Sequence, residues 1–221
     1  MPMTLASISV GLPQAVAHGT GTVQTGIFKR PVSGPVRVHA AQLDGDGQAD
    51  LVHHGGPDKA VYAYSLEHYA WWQHTLGIDT AFSHGQFGEN LTVAGLDEAT
   101  LCLGDTLAIG SARFVVTQPR VPCFKLGLRF GNPAMPRLFA QSLRSGAYLR
   151  VLQQGTIRAG DAVNAVDSPT EKISIRDLFA AYLAPNDPAA TTLLRRALTV
   201  PALSGEWRRQ IAQRLERRAA T

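Results

Sequence analysis

The stretch Thr117–Leu126, TQPRVPCFKL, places a thiol, Cys123, between two cations, Arg120 and Lys125. Pro119 and Pro122 remove two backbone donors and fix two φ angles, so the segment is stiff and cannot pair regularly. Nearby positive charge favours thiolate over thiol, and the thiolate is the form that attacks or binds soft metals. A stiff, non-helical loop holding a cation-flanked cysteine is a poor way to fill a core. The competing reading is a buried free cysteine with two surface charges, because Cys is among the most buried residue types.

A second candidate is residues 45–60, GDGQADLVHHGGPDKA. Its start hints at a calcium loop, but the required glycine falls on Ala49 and no glutamate closes the pattern. His53 and His54 are adjacent, so on an extended chain they point to opposite faces and one metal ion reaches only one of them. Gly55 and Gly56 permit tight turning and close backbone approach to a ligand. Taken alone, the segment reads as a turn with a hydrogen-bonded histidine. A third candidate is FGENL, where Glu89 and Asn90 offer a carboxylate and an amide just before an apolar run, or form a self-capping turn. No G-x-S-x-G, P-loop, G-x-G-x-x-G or H-E-x-x-H pattern is present.

These residues sit in a chain of 221 residues, 45% hydrophobic and 17% charged, which suffices for a real core and excludes disorder. No apolar run approaches the ~18–20 residues of a membrane helix. The start, MPMTLASISVGLPQ, lacks the basic opening and apolar stretch of a secretory signal, so a cytoplasmic protein is expected. Cys102 and Cys123 then read as free thiols. Residues 1–170 carry 12 basic and 12 acidic side chains, and residues 171–221 carry 9 and 5, so the net +4 belongs to the tail. That balance argues against a broad nucleic-acid face on the main body. The tail arginines, Arg195, Arg196, Arg208, Arg209, Arg214, Arg217 and Arg218, read as a solvated helix face, with docking of an acidic protein as the alternative.

Alternation and β-branched content predict strands at Thr4–Val10, Pro35–His39, Leu91–Val93, Thr106–Ile109, Ala112–Gln118, Tyr148–Leu152 and Ala162–Val166. Gly110-Ser111 reads as a two-residue hairpin turn, Gln154–Gly160 as a second reversal, and His18–Thr22 as a flexible loop. Helices are predicted over Ser65–Leu76, with Ser65 as cap and Gly77 as stop, and over Pro133–Leu143. After Ser168-Pro169, three more follow at Ile173–Leu183, Pro188–Leu198 and Ser204–Arg218, the last with Trp207, Ile211 and Leu215 as its apolar stripe. The expectation is a mainly β fold, a barrel or sandwich with a few helical inserts over residues 1–168, followed by a small three-helix domain over 169–221.

In order, VHHGGPDKAVYAY, HYAWW, FGENLTVAGLDE, GDTLAIG and TQPRVPCFKL resemble the MOSC-domain proteins, and within them the YiiM-type 6-N-hydroxylaminopurine resistance proteins. The resemblance runs from Ile27 through the AGD at 159–161, and the three-helix tail is similar to the one that closes YiiM-type chains. It implies a MOSC-type β-barrel, a bound molybdenum cofactor, and Cys123 as the metal-ligating cysteine. It further implies two-electron reduction of N-hydroxylated small molecules, such as hydroxylaminopurines and amidoximes, to amines. Arg120, Lys125, Lys29, Arg30 and Lys59 are then the cations available to a pterin phosphate, and Gly55, Gly56 and Glu89 lie in segments expected beside the cofactor. Asn90 and His54 are expected near cofactor or substrate, an imidazole there being a proton source. Pyridoxal phosphate binding is a looser association at the level of the family. No motif for an electron donor is present, so electrons would come from a separate flavoprotein or redox carrier. A cofactor carrier without turnover and a metal-free reactive thiol protein are the alternatives.

Overall fold

A computed structural model of the chain describes residues 2–49, 55–184 and 186–219. The chain opens with β1 (Met3–Val10), a hairpin of β2 (Gln14–His18) and β3 (Gly21–Thr25), and short strands β4 (Arg30–Val32) and β5 (Val36–Val38). A 3-10 turn at Pro57–Lys59 leads into β6 (Val61–Ser65), α1 (Glu67–Leu76) and β7 (Leu91–Ala94). Then come β8 (Thr106–Ile109), β9 (Ala112–Pro119), α2 (Phe124–Phe130), α3 (Met135–Ser142), β10 (Ala147–Gln153), β11 (Gly155–Ile157) and β12 (Ala162–Asp167). Three helices follow: α4 (Ile175–Leu183), α5 (Pro188–Ala197) and α6 (Gly205–Ala219).

Seven strands close into a barrel in the order β12-β8-β9-β10-β6-β7-β1, because β1 pairs with both β7 and β12; β4 adds to the outer edge of β1. Every pairing around the barrel is antiparallel except β6 with β7, whose parallel register needs a crossover, and α1 supplies it. The β8–β9 hairpin turns at Gly110, which has φ +53; a Cβ there would lie 2.3 Å from the Thr156 carbonyl oxygen, so only glycine fits.

Strand periodicity sorts the side chains. Val61, Ala63, Val116, Ala147 and Leu149 point into the barrel core with Leu5, Leu91 and Phe114. Tyr62 and Tyr64 alternate outward, into a second cluster of Trp72, Phe87, Leu126 and Phe139 beneath α1 and α3. Trp207, Ile211 and Leu215 meet α4 and α5 in a third cluster, which also takes Leu103 from the barrel side.

Several expectations need correction. β6, VYAYS, is buried on both faces, so it shows none of the polar alternation that marks a half-exposed strand. The loop expected at His18–Thr22 is the tip of the β2–β3 hairpin, and the reversal expected at Gln154–Gly160 contains β11, paired with β5. Ser65 does not cap α1: it ends β6, and its hydroxyl donates to Glu67 Oε2 at 2.7 Å. The tail arginines are not a uniformly solvated face. Arg208 donates to the carbonyl of Val200 at 2.9 Å, Arg214 donates to that of Tyr182, and Arg196 pairs with Glu171 at 2.9 Å. Guanidinium groups here satisfy carbonyls at and beyond helix ends.

Candidate active site

The register of three neighbouring strands sets the floor of a cavity on the outer flank of the barrel. Tyr148 on β10 stands across from Tyr62 on β6 and from Gln118 on β9, and the chain leaves β9 at Pro119 to run over this row. Cys123 follows in extended conformation, φ −127, immediately before α2. Lys125 therefore belongs to the first turn of a helix, not to a non-helical loop as the two prolines suggested. The cavity has a volume of about 110 Å³ and opens to solvent.

Cys123, Arg120, Lys125, Lys29, Lys59 and Asn90 all line it. Cys123 is half-buried, and the ring of Phe124 beside it packs tilted against His18 from β2 with centroids 4.6 Å apart. Arg120 is 6% exposed; its guanidinium lies over the ring of Tyr62 at 4.8 Å and donates to the Phe87 carbonyl. Burial opposes the charge on Arg120, but the surrounding Tyr62 and Tyr148 hydroxyls and Cys123 outweigh it and hold its pKa above the ordinary value. Lys125 is 9% exposed and has no hydrogen-bond or ion-pair partner among the described residues. No carboxylate pairs with Arg120 among them either.

The other two cations are compensated. Lys29 pairs with Asp46, though burial still lowers its pKa. Lys59 pairs with Glu206 of α6. Asp46 also accepts the Gly11 amide at 2.9 Å and an Asn90 Nδ2 hydrogen at 2.8 Å. Asn90 gives its second hydrogen to the Ser9 carbonyl at 3.2 Å, and its oxygen accepts the Tyr62 amide at 3.0 Å. Both of its donors are thus spent on the wall, so Asn90 fixes the cavity and has no hydrogen left for a ligand.

Four other expected residues do not line the cavity. Arg30 is exposed on β4. Glu89 is completely buried, and its carboxylate accepts from the Gly85 amide at 2.7 Å, the Phe87 amide at 3.0 Å, the Thr92 hydroxyl at 3.0 Å and the Tyr69 hydroxyl. It locks the loop that presents the Phe87 carbonyl to Arg120. Gly55 and Gly56 stand behind the wall, where the Gly56 amide donates at 2.9 Å to Gln48, itself a lining residue. His54 lies outside the described residues.

Asp46, Tyr62 and Tyr148 are among the lining residues that the sequence did not single out. The failed calcium pattern drew attention away from Asp46, and only strand register brings the tyrosines together. A buried cation without a counter-charge is costly, so a cavity with Arg120 and Lys125 in its wall is poised for an anion. Lys125→Met keeps the stem and removes the ammonium. It is expected to raise the stability of the ligand-free protein by about 1–2 kcal/mol, seen as a Tm a few degrees higher; a lower Tm would show that the ammonium is paired.

Residues 50–164 match the model of the MOSC domain, and residues 173–218 match that of the YiiM-like, 3-alpha helix domain. YflK of Bacillus subtilis (strain 168) is 38% identical over 214 residues, covering 97% of this chain and 95% of its own. A Gibberella moniliformis (strain M3125 / FGSC 7600) protein named "Reductase" is 31% identical over 84% of this chain, within 33% of its own length. The crystal structure of YiiM from Geobacillus stearothermophilus superposes with a TM-score of 0.80 at 35% identity, covering 97% of this chain and all of that one. By these matches and by its closed barrel with three appended helices, the chain belongs to the MOSC domain family, with a YiiM-like 3-alpha helix domain following the barrel.

Proposed function

We propose that this protein is a molybdenum-cofactor-dependent reductase of N-hydroxylated small molecules, hydroxylaminopurines and amidoximes among them, converting N–OH to N–H. The observation that carries the reading is the company of Cys123: a thiol at the wall of a cavity where two of the buried cations, Arg120 and Lys125, lack a carboxylate partner among the described residues. That donor set fits a cofactor that joins a sulfur-seeking metal to a phosphate-bearing organic frame. Among the described residues no group of three or more His, Cys, Asp or Glu side chains is placed to hold a metal ion by itself, so the metal would arrive with its own ligands.

Cys123 Sγ would be the protein's sulfur donor to the group, and Arg120, Lys125 and Lys59 would hold its phosphate. When bound, the cofactor would supply the two-electron exchange that N–O cleavage requires, chemistry that no side chain provides. Each turnover takes up two electrons and two protons and releases the hydroxyl oxygen as water. Tyr148 lines the cavity, and burial raises its pKa, so its hydroxyl stays protonated and available to donate towards a ligand. The Asp46–Asn90–Tyr62 lattice holds the wall before anything binds, which limits the ordering cost of binding.

Electrons would come from a separate flavoprotein or redox carrier. A redox role is supported by the fungal protein named "Reductase", which contains a segment similar to this chain within a third of its length. No helix among the described residues is long and apolar enough to cross a membrane. The two free cysteines suit a reducing cytoplasm, where we place the protein.

With protein made in a cofactor-competent host, a chemical reductant should drive conversion of 6-N-hydroxylaminopurine to adenine. Bound cofactor without product would contradict the reductase and leave a carrier. Cys102 serves as the control thiol. It does not line the cavity, its Sγ lies 3.5 Å from the Thr100 carbonyl, and burial followed by Asp105 raises its pKa. Cys102→Ala is expected to turn over at the wild-type rate, and a large loss would overturn the assignment of a single functional thiol.

A further inference from the structure

We infer that the helical unit braces the cavity from behind its wall, with Glu206 in the first turn of α6 acting as a positioning residue that holds the Lys59 ammonium at the cavity. This rests on reading the cavity as an anion site. Lys59 ends the 3-10 turn at Pro57–Lys59, and that turn is gripped from α6 through two consecutive residues. The Lys59 ammonium pairs with Glu206 Oε2. The Asp58 carboxylate accepts the Gly205 amide at 2.9 Å and Arg150 Nε at 2.7 Å.

Glu206 is braced in its turn. Its other oxygen accepts Gln210 Nε2 at 3.0 Å, the Gln210 oxygen accepts the Tyr182 hydroxyl at 2.8 Å, and Tyr182 stacks on the buried Trp207 with centroids 4.5 Å apart. A hydrogen-bond chain thus runs from α4 through α6 to a cavity cation. A lysine stem has four rotatable bonds, and a fixed carboxylate restricts them. The first turn of a helix also suits the acidic residue that does the holding.

Titrating the full chain with phenyl phosphate by calorimetry tests the idea. Glu206→Gln keeps the side-chain length and the contact with Gln210 while removing the charge. It is expected to weaken binding by about 10-fold, and to have no further effect once Lys59 is already replaced in Lys59→Gln. Unchanged binding, tighter binding, or an equal loss in the Lys59→Gln background would overturn the inference. A second arm needs no ligand: Lys59 acetylation by an activated ester, followed by peptide mass spectrometry, should be several-fold faster in Glu206→Gln. An unchanged rate overturns the positioning role. A wild type that fails to bind phenyl phosphate contradicts the anion-cavity reading instead, and the acetylation arm still decides the positioning.

Discussion

Cys123→Ser is expected to lose more than about 100-fold in molybdenum retention, and turnover with it. Replacing a mere outer-sphere partner of a metal site already costs about 10–100-fold. A serine presents a hard oxygen to a metal that prefers sulfur. The side chain is half-buried at the cavity wall, so the substitution should move folding stability by no more than about 0.5 kcal/mol. The combination is diagnostic: metal content and rate fall together while the denaturation midpoint stays put. A variant that unfolds instead would mark Cys123 as a packing residue, and one that keeps its rate would exclude it from the chemistry.

Glu89→Ala is expected to cost about 3–5 kcal/mol of folding stability. Its carboxylate is completely buried and takes four donors: the Gly85 and Phe87 amides and the Tyr69 and Thr92 hydroxyls. Each buried donor left without an acceptor costs about 1–3 kcal/mol, moderated where water enters the gap. A domain has only about 5–15 kcal/mol in total, so the variant should unfold at a much lower urea concentration with an unchanged slope. The loop presenting the Phe87 carbonyl to Arg120 would loosen as well, so ligand binding should weaken even where the variant is folded. A loss below about 1 kcal/mol would mean that the four donors find other partners.

Glu89 also shows where reading the residues stops. A carboxylate beside an amide, just before a strand, looks like a pair of ligand groups. The fold turns one into an internal clamp and the other into a strut, because buried backbone amides need acceptors before any ligand does. The segment around Cys123 was legible for a local reason: two prolines, two cations and a thiol constrain one another in sequence. Even there the start of α2 escaped notice, with Gly127 in mid-helix and prolines upstream arguing against it. Strand β8 was legible because its alternation survives, and β9 because its β-branched run follows the turn that Gly110 marks. β6 was not, since burial on both faces erases the period. Residues that meet only through closure of the barrel, or through its contact with α6, carry no local signal at all. Asp46 and Lys29 come together from separate loops, and Glu206 lies 147 residues beyond Lys59.

The central claim, that a molybdenum group sits on Cys123 within a cationic cavity, is tested most directly by elemental analysis. The protein should be made in a host that synthesises the cofactor and purified gently, beside the Cys123→Ser variant. The expected result approaches one molybdenum per chain in the wild type and background in the variant. Equal molybdenum in both, or none in a wild type from such a host, would contradict it.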